Sequence, residues 1–132
     1  MRRRSSPSVK VFYPKFSRES LVAAMRRSIP ALAKELPIAS VILFGSYARG
    51  RHTAASDVDL LVVYEDPARP DAYESVVESL RIPRLEPLAY SRGEFERLAK
   101  GNPSLLRSML RDGVVLYGES PEALLARSSN QR

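Results

Sequence analysis

Apolar residues recur along this chain in helical spacing in some segments and as short unbroken runs in others. Leu21, Met25, Ile29, Leu32 and Leu36 fall at helical spacing and form one stripe, which predicts an amphipathic helix laid on a core. Ser17 stands where an N-cap belongs, Pro30 inside the pattern predicts a kink or a split, and Pro37 ends it. Val41 to Phe44 is an unbroken apolar run and reads as a buried strand. Gly45 and Ser46 close it, and a short helix is expected from about Tyr47 with Ser46 as its cap. Residues 50–56 read as a loop. The next strand is expected from Asp57 to Tyr64, apolar on both faces after Asp59, which places it in the middle of a sheet covered on both sides.

The second half continues the alternation. Tyr73, Val76, Val77 and Leu80 predict one face of a helix, and a third strand is expected from about Arg84 to Tyr90. Phe95, Leu98 and Ala99 predict a short helix, and Asn102-Pro103 opens another that carries Leu105, Leu106, Met109 and Leu110 and ends at Gly113. Val114 to Tyr117 reads as extended, and Ser120-Pro121 starts a last helix to about Arg127. Strands and helices that alternate in this way predict an α/β (α+β) class, a small mixed β-sheet flanked by helices. Ahead of this, Val9, Val11 and Tyr13 could form a short edge strand limited by Pro14. Residues 1–8, rich in Arg, Ser and Pro, are expected to be a disordered basic tail, leaving 9–132 as a single domain.

Composition narrows the chemistry. The 132 residues include no cysteine, which excludes a disulfide framework, a thiolate nucleophile and a cysteine zinc site, and fits a reducing compartment. No apolar run approaches a membrane span, and Met1 to Arg4 has no apolar stretch behind it, so neither a membrane protein nor a secretory signal is expected and the reading is cytoplasmic. The formal net charge is +6, part of it in Arg2, Arg3, Arg4, Arg127 and Arg132. No basic patch interleaved with aromatics accompanies it, so a nucleic-acid partner is not expected. The length suits one compact domain, so a second recognition surface is expected to come from a partner.

The informative stretch is LFGSYARGRHTAASDVDLLVV. Residues two apart on a strand share a face, so Asp57 and Asp59 are expected to project together while Val58 points away. Two carboxylates so close repel unless a cation lies between them, and an oxygen-only ligand set suits Mg²⁺ or Mn²⁺. Glycine at the strand-to-helix turn lets backbone approach a ligand, and the first amides of the short helix, with its dipole, favour an anion. A phosphate cradle of Gly45 and Ser46 beside metal-binding carboxylates describes a site for a nucleoside triphosphate. Arg49 and Arg51 lie in the loop behind the cradle, and Arg49 is the candidate phosphate contact. His52, the single histidine, is read as an ordinary exposed residue, and Tyr47 as packing beneath the short helix.

Gly-Ser, ten residues, then Asp-x-Asp resembles the signature of the nucleotidyltransferase superfamily that includes DNA polymerase beta. From about Ser17 to Gly118 the chain is similar to the minimal nucleotidyltransferases, small proteins often paired with HEPN-domain toxins. LEPLAYSRGEFERL looks like that group's third strand and following helix, and NPSLLRSMLRDGVVLYG like its closing helix and final extended piece. The resemblance implies a nucleotidyltransferase fold and transfer of a nucleoside monophosphate, AMP from ATP, to an acceptor hydroxyl on a HEPN-type partner, the protein acting as antitoxin. It implies two Mg²⁺ ions about 4 Å apart bridged by Asp57 and Asp59. A third carboxylate on the next strand falls at Glu86, as ligand and proton acceptor. Aspartate is commoner there, and Pro87 after it places the strand at an edge or a bulge. The competing reading is a catalytically weak binding module that neutralises a HEPN ribonuclease by contact. Homo- and hetero-oligomers are both open.

Overall fold

The computed structural model describes residues 17–53 and 55–130, with side chains described as far as residue 126. The tail over 1–8, the strand considered at Val9 to Tyr13 and the last arginine lie outside the described residues. Among the described residues six helices and four strands follow in the order α1 (Arg18–Glu35), β1 (Ile38–Phe44), α2 (Gly45–Arg49), β2 (Val58–Tyr64), α3 (Ala72–Leu80), β3 (Leu85–Ser91), α4 (Arg92–Gly101), α5 (Pro103–Leu110), β4 (Val114–Gly118) and α6 (Pro121–Asn130).

The strands form one mixed sheet in the order β3-β2-β1-β4. β1 runs antiparallel to both β2 and β4, while β2 and β3 are parallel, joined through α3. A parallel pair needs a crossover, and Tyr73 to Leu80 with its flanking prolines supplies the length for one. The two central strands are the most apolar, as burial on both faces demands. Alternate residues divide between two cores. Val58, Leu60, Val62 and Tyr64 of β2 pack with α1 and α3. Leu61 and Val63 pack with Phe95, Leu106, Leu110 and Leu124 of α4, α5 and α6.

Several local expectations shift. Helix α1 is capped by Ser17, whose side chain accepts from the Ser20 amide, and it runs through Pro30 as one helix rather than splitting. Pro30 is exposed, so its ring faces solvent rather than the core. In α3 the buried positions are Ala72, Val76 and Leu80, and Tyr73 is 49% exposed; a small alanine holds the place that its larger neighbour was expected to fill. β1 starts at Ile38, earlier than the unbroken apolar run, because the buried Ser40 hydroxyl donates to the Glu119 carbonyl at 2.6 Å. Helix α5 ends at Leu110, before Gly113. β3 is an edge strand, where Pro87 removes no ladder donor that a neighbour needs. Arg92 at the start of α4 is buried and forks between two carboxylates, Glu65 at 2.8 Å and Glu119 at 2.7 Å, tying α4 to the end of β2 and the β4–α6 connection. No helix among the described residues is long and apolar enough to cross a membrane.

Candidate functional site

The candidate residues meet at one end of the sheet. Phe44, the last residue of β1, pairs with Asp59 on β2, and Asp59 pairs in turn with Glu86 on β3. Asp59 shares its face with Leu61 and Val63, and Glu86 shares its face with Leu88 and Tyr90, so both acids project on the side of α4 and α5. Asp59 is half-buried and Glu86 exposed.

Gly45 and Asp59 are fitted to each other. Gly45 has φ +78°, a conformation that side chains rarely adopt. A β-carbon added there would fall on the Asp59 carboxylate. The carboxylate therefore lies directly against the turn that opens α2. Burial first, then the charges of Asp57 and Glu86, push the Asp59 carboxyl above its ordinary range, and Arg49 acts in the opposite sense. The four side chains of Asp57, Asp59, Glu86 and Arg49 thus share one electrostatic neighbourhood.

Asp57 departs from expectation in its setting. β2 begins at Val58, leaving Asp57 in the preceding connection, exposed. Its Oδ1 lies 3.7 Å from the Arg84 guanidinium, and Arg84 also donates to the Ala55 carbonyl at 2.7 Å. Among the described residues no three acidic or histidine side chains are gathered closely enough to hold a metal as they stand. The donor set nonetheless fits a hard divalent cation: its side-chain donors are all carboxylate oxygens, and the repulsion that raises the Asp59 pKa is what such a cation removes.

Helix α2 is a single turn. Its N-cap is Phe44, with no side-chain cap, so Ser46 lies inside the helix rather than capping it. The first amides consequently have no side-chain acceptor, and with five residues the macrodipole is small. The turn ends at Gly50 (φ +72°), and the Arg51 amide donates to the Ser46 carbonyl at 2.9 Å. Arg49 and Arg51 are both exposed. They line a shallow cleft of about 420 Å³ with Arg111, on the connection before β4.

His52 is not the solvated residue expected. Its ring stacks on Tyr47, centroids 4.0 Å apart and planes 11° from parallel, and its Nδ1 is buried with no hydrogen-bond partner among the described residues. Arg84 is the neighbour of Asp57 that sequence reasoning missed. It holds φ 62°, a left-handed conformation no sequence signal announces for arginine.

A family profile described as Nucleotidyltransferase domain matches residues 25–117. A comparison with curated proteins matched none. Among solved structures, a Sulfolobus solfataricus protein assigned as a nucleotidyltransferase shares the fold with a TM-score of 0.52 and 19% identity, over 83% of this chain and 91% of that one. A chain from a toxin–antitoxin complex with AMP-PNP does so with a TM-score of 0.54 and 20% identity, over 79% and 83%. One from a mutant MntA–HpeT toxin–antitoxin complex gives 0.53 and 17%, over the same shares.

Proposed function

The chain belongs to the nucleotidyltransferase domain family, and from that premise we propose that it transfers AMP from ATP to an acceptor hydroxyl on a HEPN-type partner protein, serving as its antitoxin. The observation that carries the reading is the Asp59 carboxylate seated against Gly45, with Asp57 and Glu86 in the same field. The shared fold of toxin–antitoxin chains, one solved with AMP-PNP, supports the choice of nucleotide and partner.

The acceptor oxygen attacks the α-phosphorus, the bond from that phosphorus to the bridging oxygen breaks, and pyrophosphate leaves with the bond electrons. Glu86, exposed on the edge strand, accepts the acceptor's proton. Amides at Gly45 and Ser46 hold the β- and γ-phosphates, and Arg49 contributes a guanidinium to the same charge. Asp57, Asp59 and Glu86 would hold the divalent ions, Mg²⁺ or Mn²⁺. When bound, such ions offset phosphate charge and lower the acceptor's pKa. Asp57 must exchange its contact with Arg84 for that role. Positioning and charge neutralisation supply most of the acceleration.

The second reading, a binding module with weak catalysis, draws on two observations: Asp57 leans on Arg84, and glutamate stands where aspartate is commoner. Incubation of this protein and its HEPN-type partner with α-labelled ATP and Mg²⁺ separates the two. Label on the partner with wild type and none with Asp57→Asn/Asp59→Asn supports the enzyme. Equal neutralisation of the partner by both, with no label moved, overturns it in favour of the module.

A further inference from the structure

On the opposite face of the same sheet end, a cleft of about 440 Å³ opens between α1 and the α3–β3 connection. Its floor is apolar, built from Leu21, Tyr47 and Ile82, and its rim carries Arg27, Arg81 and Arg84. None of the described residues lining it is acidic. The sheet separates it from Asp59 and Glu86: Val58 lines the cleft and packs with the α1 and α3 core, while Asp59 belongs to the other face; Asp57 lies at the boundary, against the cleft's Arg84.

Three properties point to a ligand rather than a surface crevice. The cleft is more enclosed than the shallow one of similar volume at Arg49 and Arg51, and its volume lies within the range of about 300–1,000 Å³ typical of small-molecule sites. An apolar floor ringed by a few convergent charges is how such sites combine affinity with orientation. The connection that supplies two of the arginines also holds Arg84 in left-handed backbone (φ 62°) away from any helix end, and such conformations gather at ligand sites, whereas Arg81 (φ 53°) is the left-handed C-cap of α3.

We propose that this cleft binds a small organic phosphate with a flat apolar body, the ring lying on the Leu21, Tyr47 and Ile82 floor and the phosphate between Arg27 and Arg81. Arg84 joins the cleft to the other face, because its guanidinium contacts Asp57 and the Ala55 carbonyl as well. Occupancy therefore bears on Asp57 through a shared arginine. The site itself does not depend on the transferase reading.

The test is a fluorescence titration of the full chain with 1-naphthyl phosphate. Saturable one-site binding is expected, with 1-naphthol and inorganic phosphate each at least tenfold weaker, because each offers half of the complementarity. Arg27→Gln/Arg81→Gln should weaken the probe at least tenfold, and Ala24→Leu, at a lining position of α1, should block the floor. Asp59→Asn, on the other face of the sheet and without contact to Arg84, should keep the binding. No saturable binding overturns the proposal, as does 1-naphthol binding as tightly as the phosphate. So does loss of binding in the aspartate variant with the arginine variant unaffected, which would place the probe at the catalytic face. If Ala24→Leu fails to fold by circular dichroism, the surface arginine pair decides alone.

Discussion

Gly45 and Gly50 form a matched pair for substitution. Both hold left-handed backbone, at φ +78° and +72°, at the two ends of α2. An alanine in that conformation costs about 1–2 kcal/mol, partly offset by a stiffer unfolded chain, so about 1 kcal/mol net is expected at either site. At Gly50 an added β-carbon meets nothing within 4 Å. At Gly45 it meets the Asp59 carboxylate, which must leave its rotamer or push α2 away, for roughly another 1 kcal/mol. For a domain of this size each kcal/mol is about 4 °C of melting temperature. Gly50→Ala should therefore melt about 4 °C below wild type and Gly45→Ala about 8 °C below. Their activities should diverge much more. Displacing a catalytic carboxylate by roughly 1 Å costs about a hundredfold, so Gly45→Ala should lose label transfer from α-labelled ATP by about that factor while Gly50→Ala stays within a few-fold. Melting by circular dichroism and initial rates at saturating Mg²⁺ and ATP give both numbers. Wild-type transfer by Gly45→Ala, or an equal loss in both variants, would refute the claim that the glycine exists to seat Asp59.

Asp59→Asn removes a charge that Asp57 and Glu86 oppose; in EDTA its melting temperature should match or exceed wild type, while Mg²⁺-dependent tightening of ATP binding, measured by calorimetry, should vanish. Arg92→Met should cost about 2 kcal/mol, between the value of a surface pair and that of a buried one, because Arg92 is nearly enclosed while Glu65 and Glu119 still reach water; urea denaturation checks it, and a change below about 0.5 kcal/mol removes Arg92 from its clamping role. The Arg69 fork on Asp71, with bonds of 3.0 and 2.8 Å, holds the Asp71 carboxyl below its ordinary range. Its contribution is complete above the unfolded carboxylate pKa and lost as pH falls through the lowered one. Asp71→Asn should therefore lower stability slightly at neutral pH, leave it unchanged below the lowered carboxyl pKa, and so flatten the acid limb of a stability–pH curve.

Periodicity carried most of the fold. The apolar stripe of α1 and the two-sided apolar run of β2 have one reading each, and Pro87 marked β3 as an edge or a bulge, of which the sheet takes the edge. Boundaries and contacts were less legible. Alanine at 72 is too small to announce burial, so Tyr73 appeared to own the α3 face. The Gly-Ser and Asp-x-Asp spacing brought Gly45 and Asp59 to one sheet end and the family resemblance added Glu86, but neither could say that Asp57 would sit one residue short of the strand. Nor could it find Arg84: its approach to Asp57 depends on a left-handed backbone at an arginine, and on a β2–β3 register that brings the Arg84 carbonyl to the Val58 amide at 2.9 Å. His52 looked solvated because its stack on Tyr47 requires the loop to fold back after Gly50.

The Phe44–Asp59 pairing has one more consequence. Both ends of the excursion from α2 to β2 are anchored by the ladder, so the stretch between Gly50 and Ser56 can lengthen at small entropic cost without moving either anchor, provided the His52 stack on Tyr47 and the Arg84 bond to the Ala55 carbonyl are kept. Position and length are thereby separable: the clamped ends keep Gly45 and Asp59 together, and the span between them can be extended without parting them.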